Sequence, residues 1–281
     1  MSEERLTAVH PSFSAVLAID TGFGTGEENM AFDRRMMQAF ADGLFQKEFG
    51  EGSCLWRFYG WRPHALTIGY NQDIALFDTG RCRMEGIDVV RRPTGGRAVL
   101  HGEEFTYSFI ADSPEENTEL YRHVHEVIRI ALEGLGVHAE FCRSTLPARG
   151  VTAPVACFTA SARHELQVDG RKLVGSAQRR SGRVLLQHGS LPLSRRHMDL
   201  SRYVPGGGIA DAEDLRAEME RKTVSLEEIL GYIPSYGRLV ELMLAALETH
   251  GGSAPVRLRS PGAPGPDGRL LPSSITESLA P

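Results

Sequence analysis

The sequence predicts a single α+β domain, a mixed or antiparallel β-sheet with flanking helices, and three observations point there. Helical and strand-like periodicities alternate along the chain without the regular beat of βαβ units. Long apolar stripes at helical spacing stand apart from short strand-like runs. Two hairpin signals, Asp169-Gly170 and Ser181-Gly182, follow one another in the second half of the chain.

Taken in order, the first element is a helix over Glu28–Leu44, where Met30, Met37, Phe40 and Leu44 recur at helical spacing and Asn29 is available as a cap. Trp56–Tyr59, Ala65–Gly69 and Asp88–Arg92 read as short strands, and Val99–Ala111 as a β-rich segment after a Gly-Gly turn. Glu115–Leu135 is the clearest helix: Leu120, Val124, Val127, Ala131 and Leu135 form one stripe, and Gly134 and Gly136 mark its end. His123 and His125 lie off that stripe and are expected to be solvated. The two hairpin turns then predict a three-stranded meander through His164–Val168, Arg171–Arg179 and Val184–His188. Val224–Leu230 and Tyr236–His250 read as closing helices, the second with Leu239, Met243 and Leu247 on one face. A stretch at Tyr203–Ala210 (YVPGGGIA) reads as a loop. From Gly251 to Pro281 the chain holds 5 Gly, 6 Pro and 5 Ser, which predicts a disordered tail after a catalytic domain spanning residues 1–250.

Charge and composition narrow the function. In 281 residues, 31 Lys and Arg against 36 Asp and Glu leave a net charge of −5, which argues against a general nucleic-acid binder. No apolar run approaches the roughly 18 residues of a membrane span, and the start Met1–Arg5 (MSEER) lacks the basic and apolar regions of a secretory signal. A cytoplasmic location without a membrane partner is the expectation. The four cysteines, Cys54, Cys82, Cys142 and Cys157, form no C-x-x-C pair, so no metal site is expected.

Candidate chemistry gathers in a few places. Arg91–Arg97 (RRPTGGR) ends a strand with two arginines, Arg91 and Arg92, turns at Pro93 and supplies Gly95 and Gly96 before Arg97. Three guanidinium groups beside exposed backbone amides suit a phosphate or carboxylate, although composition alone favours an ordinary turn with solvated arginines. It is not a Walker loop, because the G-x-x-x-x-G-K spacing is absent. Cys157 lies in PVACFT, and Lys172 follows on the strand after the Asp169-Gly170 turn. A lysine across a hairpin could stabilise a thiolate, but spacing alone does not show that the two meet. Gly175, Ser176 and Gln178 alternate with bulkier residues and leave backbone open to an extended ligand. His101 and His188 are general-base candidates by chemistry, with a structural role the commoner one for either.

Together Arg91–His101 (RRPTGGRAVLH), Glu104–Ser108 (EFTYS), Cys157-Phe158 and Lys172–Gly189 (KLVGSAQRRSGRVLLQHG) resemble the lipoate-protein ligase and octanoyltransferase family, whose fold is shared with biotin-protein ligases. Asn29–Asp33 (NMAFD) and Ser225–Gly231 (SLEEILG) are similar to that family as well, so the resemblance covers roughly residues 28–231. It implies the biotin/lipoate-protein ligase type of catalytic domain. GGR followed by AVLH, where ATP-using ligases more often carry a third glycine, is similar to the stand-alone, cysteine-dependent octanoyltransferases.

The resemblance further implies transfer of an octanoyl group from octanoyl-acyl carrier protein to a lysine of a lipoyl domain, such as that of the glycine cleavage H protein. Cys157 would form the acyl-enzyme, and Lys172 would favour the thiolate and the oxyanion. Arg91, Arg92, Gly95, Gly96, Arg97, Gly175, Ser176, Gln178 and Gly189 would frame the acyl site, with His101 and His188 behind it. No cofactor and no metal are implied. Three other readings stay open: an ATP-dependent lipoate ligase, an amidotransferase that moves octanoyl between carrier proteins, and a silent carrier-protein binding module.

Overall fold

The computed structural model describes residues 13–142, 164–205, 209–259, 268–272 and 275. The first half runs β1 (Ala15–Gly24), α1 (Gly26–Ala41), α2 (Leu44–Phe49), β2 (Ser53–Trp61), β3 (Ala65–Ile68), α3 (Thr79–Met84), β4 (Asp88–Arg91), β5 (Val99–His101), β6 (Glu104–Asp112) and α4 (Asn117–Glu133). It continues with β7 (Glu140–Phe141), β8 (Leu166–Val168), β9 (Arg171–Lys172), β10 (Gly175–Ser181) and β11 (Val184–Pro192). After a 3-10 segment at Arg195–Tyr203 come α5 (Ile209–Lys222), α6 (Leu226–Leu230), α7 (Tyr236–Gly251), β12 (Val256–Arg259) and β13 (Arg269–Leu270).

A seven-stranded mixed sheet in the order β10-β11-β6-β2-β1-β12-β13 carries the fold. β1 runs parallel to both β2 and β12, whereas β2, β6, β11 and β10 are antiparallel neighbours. Strand alternation splits the side chains between two helical layers. Trp56, Phe58, Phe105, Tyr107 and Phe109 pack on one face against α4 and α7 through Leu120, Val124, Val127, Leu239 and Met243. Leu17, Ile19, Leu55, Ile110 and Leu186 pack on the other against Met36, Ala39 and Phe40 of α1. Two smaller sheets, β4-β3-β5 and β7-β8-β9, flank the main one. The α+β class and mixed sheet expected from the sequence are found.

Several local expectations are corrected. α1 begins at Gly26 with a capping box between Thr25 and Glu28, so Asn29 is not its cap; it is buried on the sheet side. β1, with Leu17 and Ile19 on one face and Ala18 on the other, is a strand beyond those expected from the sequence. Val99–Ala111 is two strands in different sheets, split at Gly102. The meander is likewise broken. β8 and β9 belong to a small sheet, while β10 starts after Leu173 and Val174 and joins the main one. Asp169 and Gly170 both take positive φ, as a tight two-residue turn requires.

His123 and His125 are buried, because α4 is covered on more than one side. The His123 ring meets Phe13, Phe109 and His250 of α7. The tail reading is corrected for the residues described beyond 251. β12 adds to the edge of β1, and Leu258, Leu271 and Ile275 are buried against the α1 side of the sheet. A few apolar residues on a strand suffice to order a segment whose average composition is that of a linker. Of the Tyr203–Ala210 loop, residues 206–208 lie outside the described residues; Tyr203 is buried and closes the 3-10 segment, and Ile209 and Ala210 begin α5.

Candidate functional site

The site grows from a polar strip across an otherwise apolar sheet face. Arg57 on β2, Ser108 on β6 and His188 on β11 are successive cross-strand partners, so their side chains form one row facing α1. Asp33 of α1 descends onto that row. Its carboxylate accepts from Arg57 Nη1 (2.9 Å), Ser108 Oγ (2.9 Å), His188 Nδ1 (3.3 Å) and Tyr59 Oη (3.4 Å). Burial would raise the Asp33 pKa, but the His188 hydrogen bond and the Arg57 charge win and hold it below the ordinary carboxylate value. Burial also lowers His188 against the pull of Asp33, so its imidazole is neutral at pH 7 and donates through Nδ1.

The Arg91–Arg97 loop sits above this strip and is wound around one side chain. Arg92 is buried and its guanidinium donates to the carbonyls of Thr67, Gly95 and Arg97 and to the hydroxyls of Thr67 and Thr94. Thr94 Oγ1, already accepting from Arg92, gives its proton to His188 Nε2 at 2.6 Å. A second arm has the same plan. Thr67 Oγ1 pairs with His101 Nε2 (2.8 Å), and His101 Nδ1 with Glu104 Oε1 (2.6 Å). Glu104 also accepts from Trp61, Thr106 and Ser190, and Trp61 stacks on His101 with centroids 4.1 Å apart. Burial would raise Glu104, but His101 and the Ser190 and Thr106 hydroxyls hold it down. Arg92 thus fixes two carboxylate–histidine–threonine arms. Gly96 takes φ +85°, and its carbonyl approaches Gly69 so closely that a Cβ at Gly69 would lie 1.9 Å from it, which explains a glycine at each end of the contact.

Beneath the loop lies a narrow pocket of about 30 Å³, lined by Met30, Tyr59, Trp61, Val99 and Ala177 together with Thr67, Arg92, His101, Thr106, Gly175, Ser176, His188, Gly189 and Ser190. Of the sequence-predicted site residues, Arg92, His101, Gly175, Ser176, His188 and Gly189 therefore meet around one cavity. Arg91, Gly95, Gly96, Arg97, Gln178 and Lys172 are not in its wall. Arg91 instead spans the carbonyls of Gly69, Tyr70 and Gln72, and Gln178 bonds Asn117 and Gln187.

A second hydrogen-bonded chain approaches the pocket from α4. His125 Nδ1 faces the His164 carbonyl at 2.7 Å, so that nitrogen carries the proton and Nε2 must accept from Ser176 Oγ at 2.8 Å. Tyr107 Oη, which accepts from Gln187, then donates to Ser176 at 2.7 Å. Gly189 permits this span between strands, since a Cβ there would fall 2.5 Å from Ser176 Oγ. Burial drives the His125 pKa down to about 3, and the charge of Lys172 adds to that. Lys172 itself is buried, with Nζ 2.7 Å from Glu165 Oε1. Cys157 lies outside the described residues. Cys54, Cys82 and Cys142 are buried.

Sequence reasoning missed Asp33, Arg57, Glu104, Trp61, Tyr107, His125 and Glu165 as site residues. Two had a readable signal: Arg57 is the lone charge inside the apolar run of β2, and Asp33 occupies the inward face of an amphipathic helix. A buried charge of this kind demands a partner.

Residues 25–248 match the lipoyl protein ligase A/B catalytic domain family, and the chain belongs to it. The "Octanoyltransferase LipM" of Symbiobacterium thermophilum is 38% identical over 226 residues, 76% of this chain and 78% of that protein. The protein of the same name from Kyrpidia tusciae is 37% identical over 236 residues, 80% and 83% of the two chains. Among solved structures, a bipartite lipoate protein ligase from Thermoplasma acidophilum superposes with a TM-score of 0.68 at 16% identity, covering 95% of this chain and 91% of that one, which shows the shared fold.

Proposed function

We propose that this chain is an octanoyltransferase that takes octanoyl from the thioester of acyl carrier protein and forms an amide on the lysine of a lipoyl domain, that of the glycine cleavage H protein being one such acceptor. The acceptor class follows from relatives that are octanoyltransferases. The observation that carries the reading is the pocket itself. Met30, Tyr59, Trp61, Val99 and Ala177 give it apolar walls, and Gly175 and Gly189 add no side chain to them, a lining of the chemistry an acyl chain needs.

Chemistry proceeds in two displacements. The Cys157 thiolate attacks the thioester carbonyl, the carbon–sulfur bond to the carrier breaks, and the carrier leaves as a thiol after taking up a proton. The neutral amine of the acceptor lysine then attacks the Cys157 thioester. The amide forms, the Cys157 sulfur departs, and the proton lost from nitrogen restores the thiol or passes to solvent. A thioester already lies above an amide in free energy, so neither step draws on a nucleotide. Lys172, paired with Glu165 and close enough to depress His125, would favour the thiolate and the transient oxyanion. Arg92 lines the pocket, Arg91, Gly95, Gly96 and Arg97 belong to the loop wound around it, and His101 and His188 act through Thr67 and Thr94 on the position of that loop.

Intact mass spectrometry tests the reading. Octanoyl-acyl carrier protein without acceptor must leave a hydroxylamine-sensitive octanoyl mass on the peptide containing Cys157, with or without ATP, and Cys157→Ala must lose both that adduct and transfer. Modification of a lipoyl domain only from free octanoate with Mg-ATP, with no acyl-enzyme, would establish a ligase instead.

A further inference from the structure

A second, wider cleft adjoins the pocket. It offers about 430 Å³ and is lined by Arg34, Met37, Gln38 and Ala41 of α1, by Tyr70, Arg91, Arg92 and Pro93, and by Arg179, Ser181 and Val184. Among the described residues its wall holds four arginines and not one carboxylate, in a chain whose net charge is −5. Arg34 is paired with Glu27 and Arg92 is bound up in the loop, so two cations remain to set its character.

Arg91 and Arg179 are both exposed and have no carboxylate within salt-bridge distance among the described residues. Yet both are held in place. One nitrogen of Arg91 is shared by the carbonyls of Gly69, Tyr70 and Gln72, and Arg179 Nη1 donates to Pro93 O at 3.0 Å while its guanidinium lies over the Tyr70 ring at 5.1 Å. Each guanidinium has five donors, so both keep several for a ligand. Positioned, unneutralised arginines are an anion receptor whose ordering entropy is already spent.

Arg92 belongs to the wall of both cavities. The two cavities thus lie on either side of one side chain, and a ligand that spans Arg92 from the apolar pocket would reach the basic cleft. We propose that Arg91 and Arg179 bind the phosphodiester of the phosphopantetheine arm on the acyl donor, so that the cleft recognises the donor by its phosphate. This rests on the octanoyl-transfer reading and adds to it the part of the donor that the protein grips.

The test uses three donors with one acyl group: octanoyl-pantetheine, which lacks phosphate; octanoyl-phosphopantetheine, which carries phosphate without protein; and octanoyl-acyl carrier protein. Affinity is read by calorimetry on the full chain carrying Cys157→Ala, so that no turnover is needed, and KM is read on the chain with Cys157 intact. Arg179→Gln, at an exposed position, is expected to weaken octanoyl-phosphopantetheine and octanoyl-acyl carrier protein about tenfold, as loss of one charge-assisted contact would, and to leave octanoyl-pantetheine unchanged. Arg179→Lys should recover part of the loss. An equal loss with all three donors would overturn the inference, as would a loss confined to the carrier protein, which would place the anion on its surface. Phosphate-dependent binding without any transfer would uphold the cleft and refute the octanoyltransferase, so the two failures remain distinct.

Discussion

Replacing Asp33 by Asn tests the buried strip most directly, since the shape is kept and only the charge and half the acceptor capacity are removed. Arg57 and Asp33 are 3% and 0% exposed, with 2.9 Å between Nη1 and Oδ1. All four groups facing the carboxylate are donors, two on each oxygen. Whichever position the new NH2 takes, it confronts a donor, and Arg57 loses the one carboxylate it meets among the described residues. Breaking a buried pair by removing one partner costs about 3–5 kcal/mol. Arg57 keeps the carbonyl and side-chain oxygens of Asn29 and the Thr21 hydroxyl, which places the expected cost at the lower end, about 3 kcal/mol. For a domain of this size that lowers Tm by about 6–12 °C, at roughly 2–4 °C per kcal/mol. The assay is urea and thermal denaturation of Asp33→Asn, Arg57→Met and the double variant. The double variant should recover most of the single loss, because the desolvation of an unpaired Arg57 disappears with it. A cost below about 1 kcal/mol for Asp33→Asn, or two single costs that simply add, would refute the argument.

Acid should destabilise the chain before any carboxylate titrates. The buried neutral histidines His125 and His197 have pKa values lowered to about 3 and about 4, and His188 is lowered too. Below their unfolded value near 6.5 the unfolded chain binds protons that the folded chain refuses, so stability falls with pH by about 1.4 kcal/mol per unit for each of His125 and His197, and His188 acts in the same direction. His125→Gln should reduce the slope of urea stability between pH 6 and 5 by one such increment; an unchanged slope would show His125 to be protonated when folded. Leu258→Ala in β12 should cost about 3 kcal/mol in urea stability, as loss of a buried leucine does, whereas a dispensable tail would leave the midpoint where it was.

Local pattern was enough for much of the architecture. Apolar stripes at helical spacing located α1, α4 and α7, and Asp169-Gly170 located a tight turn, because these depend on neighbours within a few residues. The RRPTGGR and KLVGSAQ segments join one site in the sequence only through their resemblance to a ligase and transferase family, and the structure brings Arg92, Gly175 and Ser176 to one pocket. What the linear pattern could not supply was partnership. Leu173 and Val174 sit between strands of two different sheets, and nothing within a few residues of them says where one ladder stops. Asp33 meets His188 across 155 positions of sequence, and Glu104 is held down because the fold brings His101, Ser190 and Thr106 to it. The neutrality of His125 and the burial of Leu258 depend in the same way on what covers them. Sequence therefore determined where helices and turns form and which segments carry chemistry. Tertiary structure alone decided which charges share a cavity and which protons they hold, because desolvation and Coulomb energy depend on distance in space and not along the chain.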